Sequence, residues 1–251
     1  MNDRPASSEA LHLAPIGVIE SDFPDKFGIP RQPGLAPAAR ASLVMVPPYD
    51  EPLAVRGLNA FSHLWLTFVF HLSPGQSDPA HWTPLVRPPR LGGNAKVGVF
   101  ASRSTHRPNR LGLSLVELVE IDTSNGVRLV LRGADLVTGT PVLDIKPYLP
   151  WAESRPEARA DFAPAPPPTL AVNLSPEAEA MLAERADGDS LRELITQVLA
   201  QDPRPAYRRG AEARVYGVRL RDVDVRFQAL QAASGPTTLR VVEIVPAEAP
   251  A

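Results

Sequence analysis

The chain has 251 residues, 44% of them apolar and 22% charged, with a formal net charge of −2 and no cysteine. That composition fits a soluble globular protein of one or two domains, and no apolar run approaches the roughly 20 residues that span a bilayer. Without cysteine there is no disulfide, thiolate zinc site, iron–sulfur cluster or cysteine nucleophile, and any polyanion must be met by a local basic patch rather than by the whole surface.

The start, MNDRPASSEA, has no apolar run behind basic residues, so no secretory signal is expected and the expected location is the cytoplasm. Residues 13–20 (LAPIGVIE) and 42–46 (SLVMV) read as short strands around a Pro- and Gly-rich loop, DKFGIPRQPGLAPAAR. Loops of this length are either binding loops or surface excursions, and Arg31 and Gln32 lie between two prolines that stiffen the backbone.

Residues 62–71 (SHLWLTFVFH) form the strongest strand signal, apolar on both alternating faces, which predicts a central strand delivering His71 to a rim. Further strands are predicted at 97–102, 113–121, 127–132 and 141–148, with Asn125-Gly126 marking a type I′ hairpin. Short strands with glycine corners, and no helix of ten residues before about position 175, predict a mainly β protein whose N-terminal part is a closed or nearly closed barrel.

Residues 154–168 (SRPEARADFAPAPPP) read as a semi-rigid linker between a barrel domain at 1–153 and a small α+β domain at 169–251. In the second domain Ser175-Pro176 is an N-cap signal, Ser190 with Glu193 suggests a capping box, and three strands follow at 214–220, 223–230 and 239–245.

No GxGxxG, Walker or GxSxG motif is present, and His12, His63, His71, His81 and His106 show no metal-ligand spacing, so no metal is expected. What remains is basic and loop-borne. Between Pro79 and Val116 there is no acid, yet Arg87, Arg90, Lys96, Arg103, Arg107 and Arg110 fall inside, some in the turn-rich RSTHRPNRLG. Arginine's planar fork suits phosphate or carboxylate, although a solvated basic loop reads the same way. GADLVTGTPVLDIKPY (133–148) adds Asp135, Asp144, Lys146 and Tyr148, which are either structural or, converging at strand ends, an active site. The loop DPRPAYRRG (202–210) interleaves Arg204, Arg208 and Arg209 with Tyr207, a pattern that serves a basic turn or a grip on single-stranded RNA.

PRQPG (30–34), AVRGLNAFSHLWLTFVFH (54–71), VRPPRLGGNAKVGVFASRSTHRPNRLGLSLVEL (86–118), DLVTGTPVLDIKPYLPWAES (135–154) and LAQDPRPAYRRG (199–210) together resemble the bacterial tRNA methyltransferase family that modifies N6-threonylcarbamoyladenosine. The resemblance implies a β-barrel enzyme that uses S-adenosylmethionine (SAM), acts as a homodimer, and methylates N6 of the modified adenosine 3′ of the anticodon, chiefly in threonine tRNA. By motif it places the cofactor at Arg31, Gln32, Pro33, His71, Leu72, Arg103, Leu113, Gly133, Ala134, Asp135 and Leu136. Asp135, Asp144 and Tyr148 become candidates for removing the N6 proton, and Arg107, Asn109, Lys146, Arg204, Tyr207 and Arg208 for holding substrate. One departure is Arg110 in RPNRLG, where the family commonly has proline. The rival readings are a non-catalytic RNA-binding barrel that senses SAM, and an enzyme of the same fold acting on another anionic small molecule.

Overall fold

The computed structural model describes residues 11–72, 82–92, 94–204, 214–231 and 235–247. In chain order the elements of the first part are β1 (Gly17–Ser21), β2 (Arg40–Met45), β3 (His63–Val69), β4 (Leu85–Val86), β5 (Val97–Gly98), β6 (Leu111–Asp122), β7 (Arg128–Arg132), β8 (Pro141–Pro147) and a single helical turn α1 (Pro150–Glu153). Those of the second are β9 (Ala171–Leu174), α2 (Pro176–Ala183), α3 (Gly188–Ala200), β10 (Val215–Leu220), β11 (Val223–Gln231) and β12 (Thr237–Pro246).

Six strands close into a barrel in the order β1-β2-β7-β6-β3-β8, with the predicted central strand β3 paired to both β6 and β8. Alternation explains the closure. Ile19, Leu43, Leu64, Leu66, Phe68, Val116, Leu129, Leu131 and Val142 point inward and are buried, while their sequence neighbours face out. Gly112 faces in because nothing larger fits, since a Cβ there would lie 2.2 Å from the Phe68 ring. Gly112→Ala should therefore cost about 1–3 kcal/mol through overpacking. A urea midpoint unchanged from the parent would show that the ring has room to move aside.

Three local expectations are corrected. Residues 97–102 are not a barrel strand: among the described residues Val97–Gly98 pairs with Leu85–Val86 alone and passes into a 3-10 turn. Asn125-Gly126 is not a type I′ hairpin, because only Gly126 has positive φ (+78°) and the loop between β6 and β7 is five residues long, with Asp122 accepting from the Ser124 N–H. Ser190 does not open a capping box. α3 starts earlier, at Gly188, and the Ser190 hydroxyl donates to the Asp187 carbonyl instead. The Ser175 cap forms as expected, its Oγ accepting from Ala178 N–H at 3.1 Å.

The C-terminal sheet runs β10-β11-β12-β9, with β9, which the sequence pattern did not suggest, parallel to β12. Leu191, Leu194, Ile195, Val198 and Leu199 form the apolar stripe of α3, at the spacing of one helix face, and pack into the second core. The connection between β1 and β2 joins that core rather than the barrel's: Phe23, Ala36 and Ala39 are buried in it. Its root is tied down by charge. Arg221 donates through Nε to Asp22 at 2.9 Å and through a terminal nitrogen to Asp187 at 2.9 Å and Ser190 at 3.0 Å. Bonds from Arg185, then Arg221, hold the Asp187 carboxyl down at about 2.

Candidate active site

The site is built on an unpaired strand edge. β7 pairs with β6 only from Glu117 onward, so among the described residues the N-terminal half of β6 has no strand paired to it on that side. The chain leaving β7 turns at Gly133, φ +69°, where a side chain would be strained. Ala134 and Leu136 are then buried in the barrel core, and between them Asp135 accepts a hydrogen bond from the Ser114 hydroxyl at 2.5 Å. Arg103 reaches the same edge, donating to the Leu113 carbonyl at 3.3 Å. Burial raises the Asp135 carboxyl above the usual carboxylate range. The Ser114 bond, the residue's own backbone N–H and the Arg103 charge reduce that push without cancelling it.

The Arg31–Gln32–Pro33 loop meets this corner. Gly34 N–H donates to the Gly133 carbonyl at 2.8 Å, Arg31 is exposed, and Gln32 and Pro33 are half-buried, with the Gln32 amide turned onto the Arg31 carbonyl. Gly34 and Gly133 line a recess of about 120 Å³ with Pro37, His63, Leu115 and Glu117. A larger open groove of about 430 Å³, lined by Leu53, Arg56 and Ile121 among others, contains none of the predicted site residues. Size is a poorer guide here than convergent chemistry.

His71 and Leu72 follow β3 at the end of the barrel where β1 finishes. The Lys26 ammonium donates to the Leu72 carbonyl, and a Cβ on Gly139 would lie 3.6 Å from His71 Nε2. Partial burial lowers the His71 imidazole below its ordinary value, with the nearby Lys26 charge adding to this and a bond to the Val69 backbone opposing it. In the Arg loop, Arg107 donates to the Ser102 carbonyl at 2.9 Å and lies 5.8 Å over the exposed Phe100 ring. Asn109 is exposed. Arg110 sits at φ +52° and donates its N–H to the Arg107 carbonyl, so this corner has a backbone that proline, fixed near −65° and lacking the N–H, cannot adopt.

Asp144, Lys146 and Tyr148 are not part of the Asp135 cluster. They face outward from β8 and the residue after it, in cross-strand rows: Leu113, Thr67 and Asp144 in one, Leu115, Trp65 and Lys146 in the next. Neighbours within a row stand about 5 Å apart. Tyr148 is edge-on to His63 and Trp65, with ring centroids 6.4 and 6.2 Å apart, and His63 links this wall to the Gly34–Gly133 recess. Asp144 and Lys146 are exposed, so the wall offers an acid, a cation and aromatic edges beside the recess.

Arg204 does not have the accessible position expected of it. It is 2% exposed and both its Nε and a terminal nitrogen donate to the Asp202 carboxylate, at 2.7 and 3.1 Å. It anchors the root of its loop, since a guanidinium this buried requires a partner. Tyr207 and Arg208 lie outside the described residues. Sequence reading missed Ser114, which a polar residue at an inward position of LGLSLVEL could have flagged, and His63, which nothing local distinguishes. Among the described residues no group of three or more His, Asp or Glu is placed to hold a metal ion, and no helix is long and apolar enough to cross a membrane.

Comparison with known proteins gives these features a context. The sequence profile of the tRNA-methyltransferase O N-terminal domain matches residues 18–154, and that of the TrmO C-terminal domain matches residues 167–247. The chain is 52% identical over 221 residues to the tRNA (adenine(37)-N6)-methyltransferase of Escherichia coli, covering 86% of this chain and 92% of that protein. It is 48% identical over 236 residues to a putative S-adenosylmethionine-dependent methyltransferase, RcsF, of Pseudomonas aeruginosa, covering 92% and 96%. The crystal structure of TrmO from Pseudomonas aeruginosa superposes with a TM-score of 0.75 at 42% identity, over 95% of this chain and all of that one. Barrel and C-terminal sheet are thus shared in the same order along the chain, and the protein belongs to the tRNA-methyltransferase O family.

Proposed function

We propose that this protein is a SAM-dependent tRNA methyltransferase that methylates N6 of the threonylcarbamoylated adenosine 37 in the anticodon loop of threonine tRNA, in the cytoplasm and as a homodimer. The observation that carries this reading is Asp135: a desolvated carboxylate of raised pKa, fixed by Ser114 beside Arg103, on the edge where the Gly34 and Gly133 corners meet. The relatives' names supply the reaction class.

The residues fit a cationic cofactor carrying an adenosine. Apolar Leu113 and Leu115 offer a floor, Gly34 leaves open space where a Cβ would stand, and Asp135 supplies a carboxylate for a positive charge, whereas Glu117 is paired with Arg132 at 3.5 Å in the recess. Arg31, Gln32, Pro33, His71, Leu72, Arg103, Leu113 and residues 133–136 would hold it. When bound, it supplies an electrophilic methyl group on a sulfonium, leaving as a neutral thioether.

The chain's own part is positioning and proton removal, which need neither metal nor covalent intermediate. The urea-like N6 nitrogen is a weak nucleophile. Asp135, with its pKa raised by burial, accepts the N6 proton as the N–C bond forms. Lys146 and, from a separate loop, Arg107 with Asn109 bind substrate carboxylate or phosphate, and Tyr148 offers a ring edge. Tyr207 and Arg208 are proposed RNA contacts from the sequence resemblance. Phe100, in the turn after β5, and Leu111 and Leu113 on β6 are exposed apolar residues, and the dimer buries them. Sedimentation showing a monomer at micromolar concentration would remove the dimer from this reading.

The deciding experiment is transfer of labelled methyl from SAM to threonine tRNA with and without the threonylcarbamoyl group. Labelling confined to the modified tRNA is expected. No labelling of either, with SAM still bound, would favour the sensor reading.

A further inference from the structure

The loop read as cofactor-binding belongs by sequence to the barrel and by packing to the other domain. Between β1 and β2, Phe23, Ala36 and Ala39 are buried in the C-terminal core, and Phe27, Ile29 and Ala38 pack against it. Gly28, at φ +93°, passes so close to β10 that a Cβ would lie 2.3 Å from Val218 Cγ2 and 3.6 Å from Val198 Cγ1 of α3. On the other side of the Arg31–Pro33 segment, α3 holds the backbone directly. Gln197 Oε1 accepts the Ala38 N–H at 2.7 Å, and Gln201 Nε2 approaches the Leu35 carbonyl at 3.5 Å. At the barrel corner the connection is held by backbone bonds, Gly34 N–H donating to the Gly133 carbonyl near the loop's tip and Gly133 N–H donating to the Ala39 carbonyl near its far root. The loop is therefore stretched between two supports: the barrel supplies the corner it faces, and α3 and β10 set its height and direction.

We propose that the C-terminal domain, through α3 and β10, shapes the Arg31–Gln32–Pro33 loop for its ligand, with Gln197 as the positioning residue. Gln197 touches no reacting atom. Its amide is itself oriented by donating to Glu193 at 3.0 Å, one helical turn back. Because ligand and domain favour the same loop conformation, occupation of the loop tightens α3 and β10, and a well-set α3 tightens binding. The proposal rests on the reading of this loop as cofactor-binding.

Calorimetric titration of the full-length protein with S-adenosylhomocysteine, the demethylated product, tests both readings separately. Gln197→Ala removes one backbone acceptor and is expected to weaken binding about three- to tenfold, the range of one net hydrogen bond. KM for SAM should rise by the same factor, with kcat and the KM for tRNA unchanged. Gln197→Glu combined with Glu193→Gln keeps an accepting oxygen at 197, restores the amide-to-carboxylate bond with the roles exchanged and leaves the net charge unchanged, so the double variant should bind within about twofold of the parent. Arg31→Ala is the control on the loop itself. If Arg31→Ala weakens binding and Gln197→Ala does not, the coupling is refuted while the cofactor loop stands; if neither weakens it, the loop reading falls and takes the coupling with it. Should Gln197→Ala fail to fold, amide exchange in the parent decides: S-adenosylhomocysteine is expected to slow exchange in residues 194–200 and 215–220, and no slowing there would overturn the proposal.

Discussion

Asp135→Asn is expected to lower methyl transfer by about 10²–10⁴-fold, the usual contribution of a positioned base, while S-adenosylhomocysteine binding stays within a few-fold of the parent. Asparagine keeps the shape and can still accept from Ser114, but it cannot take up a proton. The pH dependence follows from the raised pKa. Parent activity should fall as pH drops through the folded pKa of Asp135, which burial places above the usual value of about 3.9. Stability moves in the opposite direction. A carboxyl whose folded pKa is raised contributes most below its unfolded pKa, and that contribution is lost as pH rises through the folded one. Above its folded pKa the ionised Asp135 is thus a cost to the fold, and Asp135→Asn should unfold no earlier than the parent on heating. Retained activity would remove Asp135 as the base and leave Asp144 or Tyr148, on the outer wall, as the candidates.

The largest stability effect is expected from Phe23→Ala, at about 3–5 kcal/mol for a fully buried aromatic. Phe23 lies two residues after β1, so chain position alone would assign its loss to the barrel. Its ring lies in the C-terminal core, and its backbone carbonyl accepts from Thr138 N–H in the β7–β8 connection. Amide exchange should therefore accelerate first in α3 and β10, ahead of β3 and β6. Urea unfolding that shows a loss below about 1 kcal/mol, or exchange rising first in β3, would mean that the excursion only rests on the second domain.

Much of this molecule is legible in its sequence because strand patterning is local. The alternation of Leu64, Leu66 and Phe68 with Trp65 and Thr67 marks β3 as two-sided and central, and Leu129 and Leu131 between outward Arg128 and Arg132 mark a wall with one wet face. Ser175-Pro176 announces α2 for the same reason, since the cap and the N–H it satisfies lie three residues apart. Family membership was legible too, from motifs spread over both halves of the chain.

What tertiary structure alone decided is register and allegiance. Asp135 stands out from Asp144 because barrel shear leaves half of β6 unpaired and brings Ser114, 21 residues earlier, under its carboxylate. Ser190 and Glu193 carry a capping signal that goes unused because Asp187 is recruited by Arg185 and by Arg221, 34 residues away. Arg204 reads as a phosphate contact until burial against Asp202 is seen. The β1–β2 connection belongs to the C-terminal core because Phe23, Ala36 and Ala39 pack there and Asp22 is bonded to Arg221, 199 residues away. A periodic pattern specifies which face of a strand is buried, but not against which partner: that depends on contacts between distant segments, whose energies enter only once the chain has folded back on itself.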